Sequence, residues 1–323
     1  MNSMMIGIPS YKPDDENLFK ARLKFILKNF ECVTSVISDP IEVYICTQRW
    51  NDDDFKYFDD LVSPLKNLKI TYLKYDHGLG CDGAKNKILD VFYNSDYDFI
   101  LMCDDDAYII DHYRGVDLIK ILYYNPEMIN VDMIRFDLAM NPFKESVLNI
   151  RDVIEKNILL TFNGCPKWGG VHILKNLKKY YNIQPDDDVY YYYESYTIDG
   201  KEFEIHDDVF RRDIMKLRGF KVYGCKNVYF RFHLTGVRKN TFASSRDINL
   251  VKVYDRYTEE VIKRIAIRDK LIDCDENTTP SAMRHRISLK FKPNNPDILI
   301  PRPEPYTFTE NELRINKRSR KKS

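Results

Sequence analysis

The chain has 323 residues, of which 44% are hydrophobic and 31% charged, so it can build one large domain with a substantial core, with or without an appendage. Its 50 Lys and Arg residues nearly balance 49 Asp and Glu residues, so the net charge of +1 points to no particular class of partner. It contains no run of about 18 apolar residues and no secretory signal, so we expect no membrane partner and a cytoplasmic location. The seven cysteines are widely spaced without a CxxC pair, which argues against a disulfide framework or a zinc knuckle.

Apolar runs and helical spacing alternate along the first third of the chain. The predicted strands cover residues 4–8, 41–46, 68–74 and 98–103. The predicted helices cover residues 17–32, 54–65 and 83–93. This alternation predicts an α/β fold with a mostly parallel sheet and flanking helices.

Later elements are less regular. The predicted ones are helices at 116–124 and 207–218, a strand at 131–137, and a strand pair or meander over 221–232. From about Thr235 the pattern changes to helical spacing over 251–272, followed by a Pro-rich, basic segment. We therefore predict a main α/β domain over residues 1–235 and a C-terminal helical and basic extension over residues 236–323.

Three consecutive carboxylates, Asp104, Asp105 and Asp106, follow the almost wholly apolar strand predicted at 98–103. In an open α/β sheet, ligands bind beyond the carboxyl ends of the strands. Adjacent carboxylates repel each other unless a cation is close, and Mg²⁺ or Mn²⁺ commonly links carboxylates to phosphate oxygens. The triplet therefore predicts a metal–diphosphate site, with an exposed acidic turn as the alternative. The triplets at 52–54 and 186–188 cap no such strand, so we predict exposed turns there.

A glycine-rich segment, residues 77–86, leads into the third predicted helix. Glycine lets the backbone approach a ligand closely, and the free N–H groups at a helix start attract phosphate. Lys85 would add a positive charge to such a site. The segment indicates a phosphate site, with a plain tight turn as the alternative.

An acidic pair, Asp207 and Asp208, opens the helix predicted at 207–218. A carboxylate in this position can serve as a general base. Aspartate is also favoured at helix starts for purely structural reasons, which is the alternative interpretation.

A single histidine, His233, ends the aromatic stretch 229–233. It is a candidate metal ligand, and a structural hydrogen-bonding histidine is the alternative.

Taken together, these residues resemble the nucleotide-sugar-dependent glycosyltransferases of the GT-A (Rossmann-like) fold, particularly the large inverting family 2. The resemblance covers roughly residues 4–235. It rests on six features that follow one another in the same order as in that family. They are the loop at residues 8–11 after the first strand, the segment 83–86, the triplet 104–106, the run 168–170, the acidic pair 207–208, and His233.

The resemblance implies a role for each feature. Binding of the nucleotide-sugar, with a UDP-sugar favoured, falls to Pro9, Ser10, Tyr11, Lys85, Asp104, Asp105, Trp168, Gly169 and Gly170. Binding of Mn²⁺ or Mg²⁺ falls to Asp106, Asp104 and His233. The base that deprotonates the acceptor hydroxyl is Asp208 or alternatively Asp207, and a single displacement would invert the anomeric carbon. Lys85 replaces the arginine usual in the family, and His206 stands before the pair where Gly or Glu is often found. For Trp168, a core position is the alternative.

The basic C-terminal segment indicates the acceptor. Residues 281–323 hold eleven Lys and Arg residues against four acidic ones, which suits a polyanion. The candidate acceptor-binding residues are Arg284, Arg286, Lys290, Lys292, Lys317, Arg318 and Arg320. Abundant Lys, Asn, Ile, Tyr and Asp are typical of many bacteriophages, which would place the chain in the host cytoplasm. We therefore favour double-stranded DNA, in resemblance to the phage enzymes that glycosylate 5-hydroxymethylcytosine. A disordered basic tail without a specific partner is the alternative.

Three other functions remain open. The acceptor can instead be a polysaccharide or a protein. A non-catalytic nucleic-acid-binding protein on the same fold would tolerate loss of Asp106. A sugar nucleotidyltransferase also uses an α/β sheet and Mg²⁺, but it usually has a Gly-rich, basic signature directly after the first strand, which residues 8–12 lack.

Overall fold

The computed structural model of the chain describes residues 3–109, 115–138, 158–162, 165, 170–232 and 248–300. Six of the predicted site residues lie outside the described residues. They are Trp168, Gly169, His233, Lys317, Arg318 and Arg320.

Strands and helices alternate through the N-terminal part, as predicted. The strands are β1 (Met4–Tyr11), β2 (Ile41–Gln48), β3 (Leu68–Tyr75), β4 (Phe99–Cys103), β5 (Ala107–Ile109), β6 (Met133–Leu138), β7 (Ile158–Thr161), β8 (Val171–Lys175), β9 (Ser195–Ile198), β10 (Lys201–Glu204), β11 (Val222–Phe232) and β12 (Asp297–Ile300). The helices are α1 (Glu16–Thr34), α2 (Asp52–Val62), α3 (Gly80–Tyr93), α4 (Gly115–Tyr124), α5 (Leu177–Tyr181), α6 (Asp207–Leu217), α7 (Ile248–Arg268) and α8 (Pro280–Lys290), with a 3₁₀ turn at Pro126–Met128. No helix within the described ranges is apolar over a length that would cross a bilayer.

One large sheet organises the molecule. Its strand order is β12-β7-β11-β6-β8-β4-β1-β2-β3, with β5 beside β11, while β9 and β10 form a separate hairpin. Strands β3, β2, β1 and β4 are mutually parallel, so β1, β2 and β4 end on the same side of the sheet, here called the carboxyl edge. Strand β8 runs antiparallel to both β4 and β6. The predicted α/β fold is confirmed.

Strand β4 shows why the sheet is covered on both faces. All five of its residues are buried. Leu101 and Cys103 belong to one apolar core, together with α1 and α2, whereas Ile100 and Met102 belong to a second core with α3 and α6. An apolar run without alternation is typical of a strand buried on both faces, and helices on each side supply that burial.

The two predicted exposed acidic turns are confirmed only in part, because Asp52, Asp53, Asp186 and Asp187 are exposed whereas Asp54 and Asp188 are buried. Residues 52–54 form the first turn of α2, where Asp54 completes a capping box with Asn51 and receives two hydrogen bonds from the ammonium of Lys12. Asp188 is also buried and pairs with Arg218. Both carboxylates are therefore neutralised by an internal cation, which no local sequence pattern reveals.

The described C-terminal part packs against the preceding α/β fold, through the main sheet at β12 and through α6 and the β9–β10 hairpin at α7 and α8. Strand β12 pairs antiparallel with β7 and so becomes an edge of that sheet. The guanidinium of Arg284 in α8 lies 3.6 Å from Asp213 in α6. The predicted meander at 221–232 is a single strand, β11, with an irregularity between Cys225 and Tyr229. The division at residue 235 stays a prediction.

Close contact between α3 and β1 depends on Gly7. A Cβ at this position would lie 2.6 Å from Cγ2 of Ile88 and 2.8 Å from Cδ1 of Ile100. Both side chains are fully buried, so neither has room to move away. The absence of a side chain at Gly7 thus sets how deeply α3 lies against the sheet.

We expect Gly7→Ala to lower the free energy of unfolding by roughly 1–3 kcal/mol, because it overpacks this contact. The measurement is urea unfolding followed by circular dichroism. The matched control is Gly78→Ala, whose Cβ would contact only the Tyr11 ring at 3.6 Å. Equal stability of the two variants would contradict this account of the packing.

Candidate active site

The acidic triplet lies at the carboxyl edge, and hydrogen bonds fix the backbone on both sides of it. The Asp104 N–H donates to the carbonyl of Gly170, at 2.8 Å, and the Ala107 N–H donates to the carbonyl of Asp104. Asn29 of α1 then holds β5, since its amide donates to the Ala107 carbonyl and accepts from the Ile109 N–H, both at 2.9 Å. The three carboxylates therefore lie on a turn whose backbone is held by hydrogen bonds on both sides.

Asp105 is directed into the protein. Its carboxylate accepts hydrogen bonds from the Ser10 hydroxyl, at 2.9 Å, and from the Tyr11 N–H, at 3.1 Å. The guanidinium of Arg22 lies 3.4 Å from its other oxygen. Asp105 thus ties the loop after β1 to the end of β4. Its predicted contact with a nucleotide-sugar stays a prediction, but these protein groups already use both of its oxygens.

Asp104 and Asp106 carry the excess negative charge of the turn. Burial raises the pKa of Asp104 well above its ordinary value, and Lys85 opposes that effect. Burial and the charge of Asp105 raise the pKa of Asp106 to about 6, with Arg22 and Lys85 opposing. The Oδ1 atom of Asp104 is buried and receives no hydrogen bond from the described part of the chain. A cation at this position would relieve both carboxylates.

Lys85 lies between two carboxylates instead of facing solvent. Only 1% of its side chain is exposed, and its ammonium is 3.5 Å from Asp104 Oδ1 and 3.3 Å from Asp207 Oδ2. Burial works to lower its pKa, but Asp104, Cys81 and Asp207 raise it well above the ordinary value, so the charge is retained. The predicted contact between Lys85 and a phosphate stays a prediction, and its observed partners are internal.

The two aspartates at the start of α6 face different cations, Lys85 for Asp207 and Arg135 for Asp208. Burial works to raise the pKa of Asp207, but Lys85 and His206 outweigh it and hold that pKa well below the ordinary value. Asp208 faces Arg135 of β6, whose guanidinium donates to the Asp208 carbonyl at 2.7 Å and lies 3.5 Å from its carboxylate. His206 caps the helix by accepting from the Val209 N–H. The two aspartates therefore belong to different electrostatic environments.

A further carboxylate, Asp82, was not predicted. It lies in the first turn of α3, is 4% exposed, and receives no hydrogen bond from the described residues. The first turn of a helix is an ordinary place for aspartate, which hides its role in the sequence. Asp82, Lys85, Asp104 and Asp207 are here called the Lys85 cluster.

Tyr11 and Arg49 form the next part of the edge, where β1 and β2 end. The guanidinium of Arg49 donates to the Tyr11 hydroxyl at 2.6 Å and lies 5.5 Å from the ring centroid. Arg49 adopts a φ of 63°, a conformation that costs free energy for a residue with a side chain. Arg49 was not predicted as a site residue, although a strained cation at a strand end is a signal of function in a structure.

The glycine-rich segment is a tight turn that starts α3. The helix begins at Gly80, three residues earlier than predicted, and Gly80 has a φ of 75°. The preceding Leu79 N–H donates to the side chain of Gln48 at 2.6 Å. The turn thus leads directly from the carboxyl edge into the helix that carries Asp82 and Lys85.

The basic residues of α8 are engaged within the fold. Arg284 pairs with Glu259, Arg286 donates to the carbonyl of Asp273, and Lys290 donates to the carbonyl of Leu271. Lys292 is exposed. Their predicted contacts with an acceptor stay predictions.

The described residues supply only part of a metal site. Within them, no group of three or more His, Cys, Asp or Glu side chains is arranged to hold an ion. Asp104 and Asp106 nevertheless offer hard oxygen ligands, whose raised pKa values Lys85 and Arg22 oppose without outweighing the effect of burial. Mg²⁺ is usually held by one or two carboxylates plus substrate phosphates, so a diphosphate can complete such a set. The residues present therefore fit a divalent ion that binds together with a diphosphate-containing substrate.

No family model matches the sequence, and no curated protein matches it. Among solved structures, an S. aureus TarS fragment has a TM-score of 0.45 at 13% identity, covering 82% of this chain and 72% of that chain. The mannosyltransferase PcManGT from Pyrobaculum calidifontis, in complex with GDP-Man and Mn²⁺, has a TM-score of 0.45 at 12% identity, covering 90% and 70%. A putative glucose-1-phosphate thymidylyltransferase from Bacillus anthracis has a TM-score of 0.40 at 13% identity, covering 76% and 97%. Likeness at this level assigns no activity, so function has to be inferred from the site.

We expect Lys85→Met to lower the free energy of unfolding by roughly 2–4 kcal/mol, because it leaves the partly exposed Asp104 and Asp207 without their buried cation. Chemical denaturation at neutral pH measures this loss. Lys87→Met, two residues along the same helix at an exposed position, is the control and should change stability by no more than about 0.5 kcal/mol. Losses of equal size in the two variants would mean that Lys85 does not pair as described.

Proposed function

We propose that the chain is a glycosyltransferase that moves a sugar from a nucleotide-sugar to an acceptor hydroxyl. One observation carries the proposal. Two carboxylate pairs, Asp104 with Asp106 and Asp207 with Asp208, converge on the same edge of an α/β sheet, beside the aromatic and basic pair Tyr11 and Arg49. The first pair can bind a metal–diphosphate, and the second can supply the group that accepts a proton. Tyr11 and Arg49 can bind a nucleoside.

The donor would lie along the carboxyl edge. Pro9, Ser10 and Tyr11 end β1 next to β2, where the ring of Tyr11 offers a surface on which a base can stack. Asp104, Asp106 and Gly170 lie at the end of β4, so the diphosphate would lie there. Asp104 and Asp106 would hold Mn²⁺ or Mg²⁺, which when bound supplies positive charge against the leaving diphosphate. Loop residues 168–169 and His233 keep their proposed donor and metal roles.

Asp208 is the better candidate for the base. Asp207 is held ionised by Lys85 with a pKa far below its ordinary value, so it binds a proton weakly. Asp208 has 14% of its side chain exposed and is oriented through Arg135. In the proposed step, Asp208 accepts the acceptor's hydroxyl proton while that oxygen bonds to the anomeric carbon. The bond from that carbon to the diphosphate breaks and its electron pair leaves with the nucleotide, so the configuration inverts.

We expect Asp208→Asn to lower kcat by roughly 10²–10⁴-fold, the usual contribution of a general base, and to leave donor binding intact. Asp106→Asn should instead remove the Mn²⁺-dependent thermal stabilisation that the nucleotide-sugar provides. Nucleoside diphosphate release measures transfer, and thermal unfolding measures binding. The exposed Asp60→Asn is the control for both. Full activity in both variants would refute the proposal, and release of pyrophosphate would indicate a nucleotidyltransferase.

For the acceptor, we propose double-stranded DNA that carries hydroxymethylated bases. The support is the charge of the C-terminal segment, where residues 301–323 add seven Lys and Arg residues after the last described strand. A hydroxymethyl group in the major groove is accessible without disrupting the duplex. A polysaccharide or protein acceptor is the competing proposal.

We expect deletion of residues 301–323 to weaken DNA binding and to flatten its salt dependence, because fewer phosphate contacts release fewer counterions. Ending the chain at Ile300 keeps β12, whereas an earlier end would remove a strand of the sheet. Fluorescence anisotropy at several salt concentrations, with hydroxymethylated and unmodified duplexes, measures the effect. Unchanged affinity after the deletion would exclude the segment as a DNA contact. Transfer to polysaccharide alone would exclude DNA as the acceptor.

A further inference from the structure

Asp82 is a buried carboxyl group without a conventional partner. Neither of its oxygens receives a hydrogen bond from the described residues, although only 4% of the residue is exposed. An ionised carboxylate left in this state is strongly unfavourable, so a buried acid normally acquires a donor or retains its proton. Asp207, which the Lys85 ammonium contacts, is a neighbouring carboxylate that acts on Asp82 and can share a hydrogen bond with it if one of the two is protonated.

The charged groups that face Asp82 are mostly acidic, which favours a proton on one of the carboxyl groups. Asp207 approaches from α6 and Glu194 from the segment before β9, and both are acidic. Lys85, one turn along α3, is the facing cation, and it is already shared between Asp104 and Asp207. A single ammonium cannot neutralise three carboxylates. Two carboxyl groups in contact form a stable hydrogen bond only if one of them is protonated.

We propose that Asp82 carries a proton at neutral pH and donates it in a hydrogen bond to Asp207, which makes Asp82 a positioning residue for the carboxylate pair that opens α6. The proposal rests on the function proposed above, because it assigns Asp208 of that pair to the reaction. Burial and the charge of Asp207 raise the pKa of Asp82 well above its ordinary value, with Lys85 opposing. The assignment of the proton to Asp82 also follows from geometry, because Lys85 contacts Asp207 and so favours its ionised form.

This hydrogen bond would fix the start of α6. Asp207 is then held from two directions, by the Lys85 ammonium and by the Asp82 carboxyl group, both from α3. Asp208 is the next residue, so its position follows that of Asp207. Loss of the proton would place two negative charges in contact and push α6 away from α3. As a result, Asp208 would be displaced while the proposed nucleotide-sugar site stays intact.

The first test uses the protein without substrates and is independent of catalysis. A group whose pKa is raised by folding stabilises the protein fully below its unfolded pKa, and this contribution is lost as pH rises through the folded pKa. We therefore expect the melting temperature of the wild type, relative to Asp82→Asn, to fall as pH is raised from acidic to alkaline values. Asn cannot ionise but keeps an N–H donor for Asp207. Asp60→Asn should give a curve parallel to that of the wild type, and a parallel curve for Asp82→Asn would overturn the proposal.

The second test uses the transfer reaction. We expect wild-type activity to fall at alkaline pH, where Asp82 loses its proton. Asp82→Asn should keep kcat within a few-fold of the wild type and should not show this fall. Asp82→Leu has no donor and should lower kcat by roughly 10–100-fold, a typical cost of a misplaced catalytic group, with the KM for the nucleotide-sugar unchanged. A loss in Asp82→Asn as large as in Asp82→Leu would overturn the positioning role. If the stability result holds while no nucleotide-sugar is turned over, the proposed function fails and the proton on Asp82 stands.

Discussion

The ammonium of Lys85 holds together the part of the molecule where chemistry can occur. It reaches Asp104 at the end of β4 and Asp207 at the start of α6, two positions about a hundred residues apart in sequence. A buried cation is tolerated only with carboxylates beside it, and buried carboxylates only with a cation, so each group makes the others possible. The pairing contributes less to net stability than to geometry, because desolvation offsets much of the attraction. Its consequence is that a loop after a strand and the first turn of a distant helix face each other at a fixed distance.

That arrangement depends in turn on close packing underneath it. Gly7 has no side chain, so α3 lies directly against β1, and Ile88 fills the space that a Cβ would need. Because Lys85 precedes Ile88 by less than one turn, the depth of the helix sets the depth of the ammonium. The four parallel strands β3, β2, β1 and β4 bring Tyr11, Arg49 and Asp104 to one edge for a purely topological reason, since their carboxyl ends coincide.

The sequence was sufficient to predict the parallel strands, the end of β4 just before Asp104 and the helix that begins at Asp207, because each has a local pattern. It was insufficient where the outcome depends on contacts between distant residues. Asp54 and Asp188 resemble surface acids until Lys12 and Arg218 are seen beside them. Lys85 suggested a phosphate contact, yet the spacing of Asp82, Lys85, Leu89 and Phe92 puts all four on the apolar face of α3. That spacing was a signal available in the sequence for burying both Asp82 and Lys85.

Asp207 and Asp208 illustrate how one acidic pair can acquire two functions. Successive residues of a helix point about 100° apart, so Asp207 faces α3 and Asp208 faces β6. Asp207 meets an ammonium and a carboxyl group, which keep it ionised and poorly basic. Asp208 meets a guanidinium that also holds its backbone carbonyl, so it is oriented without being enclosed by the Lys85 cluster. Two identical side chains in different environments can divide the work of positioning and proton transfer, as pairs of carboxylates do in other active sites.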